Sequence, residues 1–216
     1  MRDSKKNWPE LLSAVYKQDI ESVKLLIDSG NDVNVQDSTG RTALMLSTNI
    51  ELVKLLLASG ADVNLQDNKG EAALMGANFD IAELLLKHGA DVDLRNQTGY
   101  TPLLMAKDKK TIQLLIKYGA NIKDVNNYGE NALMILAIDN GPIDSIKFLI
   151  DSGIGIDYQD IEGNTALISA CYENNTDVAK ELLKLGADSK IKNVEGKAAL
   201  QYAQELNNKE LIKLLI

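Results

Sequence analysis

The sequence predicts an all-α solenoid of helix-turn-helix repeats with projecting β-hairpin-like loops, and three observations carry that expectation. First, glycines recur in two series: Gly30, Gly60, Gly89, Gly119, Gly153 and Gly186, then Gly40, Gly70, Gly99, Gly129, Gly163 and Gly196. Both advance by steps of 30, 29, 30, 34 and 33 residues. Landmarks in lockstep mean one supersecondary unit copied along the chain, not a single closed core. Second, a capping residue followed by Ala or Pro opens a short apolar run at Thr42-Ala43, Thr101-Pro102, Asn131-Ala132 and Thr165-Ala166. Third, a longer amphipathic run closes on the first glycine of each pair.

The stretch 97–125, "QTGYTPLLMAKDKKTIQLLIKYGANIKDV", shows how each element arises. The Thr101 hydroxyl can accept from a free backbone N–H, and Pro102 at the first helical position gives up no intrahelical bond. A short inner helix, "PLLMA", follows. In the second helix Ile112, Leu115 and Ile116 share one face at helical spacing. Gly119 ends it, since glycine takes the left-handed conformation at least cost. The segment between glycines, as in "GADVNLQDNKG", has no helical period and is rich in Asp and Asn, which bond nearby backbone in turns. A projecting loop is expected there.

"G-x-T-P-L" ahead of the first helix and "L-L-x-x-G-A-D-V-N" after the second resemble ankyrin repeats, over nearly the whole chain. The resemblance divides the chain into seven repeats at about 9–36, 37–66, 67–95, 96–125, 126–159, 160–192 and 193–216, after an N-terminal extension, 1–8. It implies polar terminal caps, and binding through loop tips and the exposed, concave side of the first helices.

The sequence also departs from the family. Its usual tetrapeptide ends in histidine, whereas this chain reads "TALM", "AALM", "TPLL", "NALM", "TALI" and "AALQ". Met45, Met75, Leu104, Met134 and Ile168 are expected to replace a polar ladder by packing, each worth about 1.5–3 kcal/mol if fully buried. The paired glycines lie 20, 19 and 20 residues apart in repeats two to four, against 24 and 23 in the next two. The first helix is therefore clipped in three consecutive repeats. Altered curvature or a local groove would follow, and the insertion "DNGPID" at 139–144 reads as a longer loop.

Composition narrows the partner. The 216 residues are 45% hydrophobic but only 5% aromatic, so the core should be aliphatic. Net charge is −8 and only Arg2, Arg41 and Arg95 are arginine, which argues against nucleic acid or an anionic membrane and for a neutral or basic protein surface. Cys171 is the single cysteine, so no internal disulfide is expected. No run approaches a membrane span, "MRDSKKNWPE" lacks a secretory apolar segment, and the cytoplasm is the expected compartment.

Catalytic chemistry is not expected, nor is a cofactor or metal. His88 sits beside Gly89 at a helix C-terminus, where a cation is favoured. Cys171 takes a small-residue position and reads as a buried thiol. No phosphate loop is present, and Asp37, Asp67 and Asp160 recur with the repeat as turn residues.

The candidate binding residues are at the tips: Ser38, Thr39 and Arg41; Asn68, Lys69 and Glu71; Gln97, Thr98 and Tyr100; Asn127, Tyr128 and Glu130; Ile161, Glu162 and Asn164; Val194, Glu195 and Lys197. Among them Arg41, Lys69, Glu71, Tyr100, Tyr128, Glu130, Glu162 and Asn164 are the chosen partner contacts, with Tyr172 from the end of a first helix. Tyr100 and Tyr128 lead as exposed aromatic anchors, and Arg41 is third. Tyr16 occupies a place equivalent to Tyr172, while Trp8 reads as a staple over the first helix. The expectation is a monomeric, non-enzymatic module that binds a protein partner. The alternatives are a structural or protective self-associating protein, or the recruiting part of a larger enzyme, an idea kept open by the apolar ending "LIKLLI".

Overall fold

The computed structural model describes residues 8–216, so of the expected N-terminal extension only Trp8 falls within it and Arg2 lies outside. The fold separates into two units meeting at Gln97 and Thr98, each described by itself.

In the first unit, α1 (Glu10–Tyr16) and α2 (Ile20–Asp28) pair, followed by α3 (Ala43–Leu46), α4 (Ile50–Ala58) and α5 (Phe79–Lys87). Helix starts follow the capping chemistry: Asp19, Thr42, Asn49 and Asn78 accept from the backbone N–H of Ser22, Met45, Glu51 and Ile81. An inner layer has α1 against α3, and an outer layer has α2 on α4 and α4 on α5. The inner partner of α5 never becomes a helix. Residues 73–76 form turns only. Ala72 stands where Thr42 caps α3, so no side-chain oxygen is available to cap, and Gly76 leaves the helical region at φ +77°.

The second unit contains α6 (Pro102–Met105), α7 (Lys109–Lys117), α8 (Ala132–Ile138), α9 (Ile143–Asp151), α10 (Ala166–Tyr172), α11 (Thr176–Lys184), α12 (Ala199–Glu205) and α13 (Lys209–Leu215). Thr101, Asn131 and Thr165 cap the inner helices α6, α8 and α10 as their sequences dictate. Here α10 packs between α8 and α12. Small residues make that close: Ala132, Ala137, Ala166, Ala170 and Ala203 are all buried. After each seven-residue inner helix an asparagine turns left-handed, Asn140 at φ +52°, Asn174 at +61° and Asn207 at +52°. Asn tolerates that region better than most residues. Gln18 does the same after α1 at φ +58°. The four-residue helices α3 and α6 end on extended Ser47 and Ala106 instead.

Between the glycines the loops are tight Asx turns. Asp37 Oδ1 accepts from Thr39 N at 2.8 Å and Arg41 N at 3.0 Å. Asp67, Asn126, Asp160 and Asn193 make the same pair of bonds two and four residues on. Among the described residues the only β-pairing is an isolated bridge, Val125 with Asn131, so the projections are hairpin-like without strands. Successive tips join by main-chain bonds. In the first unit these are Asn68 N to Thr39 O at 2.9 Å and Gln97 N to Lys69 O at 2.8 Å. In the second they are Asn127 N to Thr98 O, Ile161 N to Tyr128 O and Val194 N to Glu162 O. Gly40 shows why glycine is required: at φ +83°, a Cβ there would lie 2.8 Å from the Asn68 nitrogen.

The polar ladder is thus not lost but moved to the loops. Gln36 Nε2 donates to Gly40 O at 2.6 Å and to Gln66 O at 3.2 Å, and Gln159 bridges Gly163 and Lys192 likewise. The expected apolar replacement of histidine holds only in part. Leu104, Met134 and Ile168 are buried, while Met45 and Met75 are half-buried.

Candidate functional site

The second unit carries a groove of about 640 Å³ between its loop tips and its inner helices. The repeat builds it position by position. Ile138, Tyr172 and Glu205 end α8, α10 and α12 and lie along one side. Tyr128, Glu162 and Glu195, each immediately before the second glycine of its loop, lie along the other, with Glu130, Asn164 and Lys197 just after it. Tyr128 and Tyr172 are 53% and 62% exposed, and Ile161 and Val194 stand out from adjoining tips. Tyr202 from α12 is buried; its ring meets Tyr172 edge-on at 5.5 Å, and its hydroxyl accepts from Asn193 Nδ2 at 2.8 Å.

Six carboxylates and one ammonium line this groove. Lys197 Nζ lies 5.1 Å from the Tyr202 ring centroid, 2.9 Å from Glu205 Oε1 and 3.4 Å from Glu195 Oε2. Hydrogen bonding to Glu205 raises the Lys197 pKa above its ordinary value, so this cation persists at neutral pH. Asp160 is committed to its turn, and Glu130 accepts from Asn126 Nδ2 at 2.6 Å.

Five sequence-predicted contacts therefore converge here: Tyr128, Glu130, Glu162, Asn164 and Tyr172. Arg41, Lys69, Glu71 and Tyr100 are not among its lining residues, and the expected exposure of Tyr100 requires correction. Tyr100 is half-buried, not an exposed anchor. Burial, then the neighbouring Glu130 charge, pushes its phenol pKa up, and Asn126 hydrogen-bonds it. Arg41 is tied down: its guanidinium donates to Asp37 Oδ2 at 2.9 and 3.1 Å and to Thr39 Oγ1 at 3.0 Å, and lies 5.5 Å over the Trp8 ring. Trp8 in turn meets Tyr16 edge-on at 5.5 Å, closing the first helix. Lys69 is exposed and Glu71 half-buried in the first unit. In the same unit a smaller hollow, about 200 Å³, opens where the inner helix is missing, between Met45 and Ile81.

Sequence reasoning missed Ile138, Tyr202, Glu173 and Glu205 as groove residues. The signal was available for two of them: Ile138 and Glu205 occupy the column of Tyr172, six residues after the first alanine of each inner helix.

The remaining reactive groups are occupied or buried. Burial pushes the Cys171 thiol up to about 12, so little thiolate forms near neutrality. His88 Nδ1 lies 2.8 Å from Leu84 O at the end of α5. Among the described residues no group of three His, Cys, Asp or Glu side chains could hold a metal, and no helix is long and apolar enough to cross a membrane.

Comparison places these features in a known family. The family model for ankyrin repeats matches in three copies, at 11–96, 72–160 and 137–216. Similar solved structures include the human ASB11 ankyrin repeat domain, at TM-score 0.84 and 23% identity with 96% of each chain covered. The ankyrin repeat domain of Bcl-3, described as a unique member of the IkappaB protein family, superposes at TM-score 0.72 and 25% identity over 97% of this chain and 98% of that one. A putative ankyrin repeat protein of Acanthamoeba polyphaga mimivirus is 35% identical over 92 residues, 41% of this chain and 27% of that protein. A putative palmitoyltransferase of Danio rerio is 32% identical over 73 residues, 32% of this chain and 11% of that protein. The chain thus spans about a quarter or less of the length of these curated relatives. With its helix pairs, Asx-turn tips and matching family model, the chain belongs to the ankyrin repeats and has their all-α solenoid fold.

Proposed function

We propose that this chain is a non-enzymatic protein-interaction module, built from the seven repeats set out above, whose binding site is the groove of its second unit. The observation that carries this reading is the convergence of Tyr128, Tyr172 and apolar tip residues on one open groove of about 640 Å³. Tyrosine supplies large contact area at small entropic cost and is enriched among residues that dominate binding energy. An elongated groove between repeated elements suits a loop or segment of another protein better than an enclosed small molecule.

The test is capture of a partner from the source cell on the immobilised chain, followed by binding of that purified partner to wild type and to Tyr128→Ala/Tyr172→Ala. Affinity should fall at least about tenfold in the variant, with its circular dichroism unchanged. Equal affinity for both chains would move the site out of the groove. No captured protein would favour the self-associating structural reading.

The partial match to a putative palmitoyltransferase supports a second reading, in which the array recruits substrate for an enzyme of which it is one part. Sequencing the full transcript distinguishes the two: a contiguous catalytic domain supports recruitment, and its absence supports an independent module.

A further inference from the structure

From its charge and ring geometry we infer that the groove takes an extended segment of a partner protein that presents a lysine or arginine side chain between Tyr128 and Tyr172. This inference rests on the groove being the protein-binding site, and adds the chemistry of what enters it.

One end of the groove already holds a cation of its own. Lys197 lies over the Tyr202 ring with Glu205 and Glu195 as counter-charges. This is the arrangement by which an aromatic face and carboxylates recognise an ammonium or guanidinium group. The rest of the lining has the same residue types without a cation. Tyr128 and Tyr172 are exposed, and among the described residues the Glu162 carboxylate accepts only from the Asn164 amide, at 3.4 Å. The Glu173 backbone N–H donates to Ser169 O at 3.0 Å, while its carboxylate, next to Tyr172, has no hydrogen bond or ion pair among the described residues. The uncompensated negative charge repels acidic and phosphorylated partners and draws in a basic one. A divalent ion is a poorer match, because the carboxylates are strung along the groove rather than gathered in threes. Ile161 and Val194, both exposed on the tips, offer apolar contact to the aliphatic stem of the incoming residue or to its neighbours.

A random dodecapeptide library displayed on phage and selected on the folded chain tests this. Enriched sequences should carry lysine or arginine. Synthesised as free peptides, they should bind Glu162→Gln/Glu173→Gln about tenfold more weakly than wild type, while Glu51→Gln on α4 leaves affinity unchanged. Raising salt from about 50 to 500 mM should weaken wild-type binding several-fold and the double Gln variant less. Neutral or acidic enriched sequences that are lost with Tyr128→Ala/Tyr172→Ala but not with the Gln variant would overturn the cation inference and leave the groove as a binding site. Failure to enrich any groove-dependent sequence would overturn both.

Discussion

The helices that begin "TALM" at Thr42 and "NALM" at Asn131 start alike and end differently. Each is capped by its first side chain and runs through Ala, Leu and Met. Yet α3 stops after four residues, whereas α8 continues for seven and buries six of them. The consequence reaches the surface: beside α3 there is a hollow of about 200 Å³, while α8, α10 and α12 line a groove of about 640 Å³. Losing four residues between paired glycines removes one helical turn, and with it the helix-end column that forms one side of a binding surface. The clipped pairs keep their outer helices, so they stack but present less.

The largest effects should separate the two regions by stability. Met134→Ala should cost about 2–5 kcal/mol, since Met134 is 1% exposed. Met45→Ala, at the same place in a clipped pair, should cost less, about 1–2 kcal/mol, because Met45 is only partly buried. Equal costs by denaturant unfolding would erase the contrast. Leu85→Ala in α5 should again cost about 2–5 kcal/mol, showing that the deficit is confined to the inner layer.

Asp37 gives the next effect. Burial raises its pKa, but hydrogen bonds from Thr39 and Arg41 outweigh that and hold it at about 2, below the ordinary 3.8. A depressed folded-state pKa stabilises above pH 3.8 and loses that contribution as pH falls through about 2. Asp37→Asn should therefore cost on the order of 2 kcal/mol at neutral pH, and the gap from wild type should close through this acid window. A gap constant with pH would show that the turn, not the charge, matters. The equivalent Asn126 and Asn193 of the second unit do not titrate.

Smaller still, Arg41→Ala should cost about 1 kcal/mol through the lost Asp37 bonds and Trp8 stacking, yet leave partner affinity unchanged. Reduced affinity in a folded Arg41→Ala variant would return that residue to the site. Tyr128→Ala/Tyr172→Ala should shift stability by about 1 kcal/mol or less, because both rings are exposed and only the Tyr172 edge contact with Tyr202 is lost, so thermal melts should nearly overlay.

Most of the architecture was legible because it depends on local chemistry. Capping hydroxyls, the two glycine series and the missing four residues are short-range facts, and each fixed an element. The helix before α5 was expected to be clipped and is instead absent; α12 forms after Ala198 with no capping oxygen, so it is Gly76 that sets this repeat apart. The site was harder because exposure is a property of neighbours. Tyr100 looked like Tyr128 in sequence, but only the fold brings Asn126 and Glu130 to it. Arg41 looked free until Asp37 and Trp8 were placed beside it. Ile138, Tyr172 and Glu205 share a column whose common face emerges when three full-length inner helices stand side by side.

The most direct measurement is hydrogen exchange of the chain with and without its purified protein partner. Exchange should slow at 127–130, 161–164 and 172–174, with 38–48 and 69–77 unchanged. Protection concentrated on the clipped pairs, with the groove exchanging as in the free chain, would contradict a binding site in the groove.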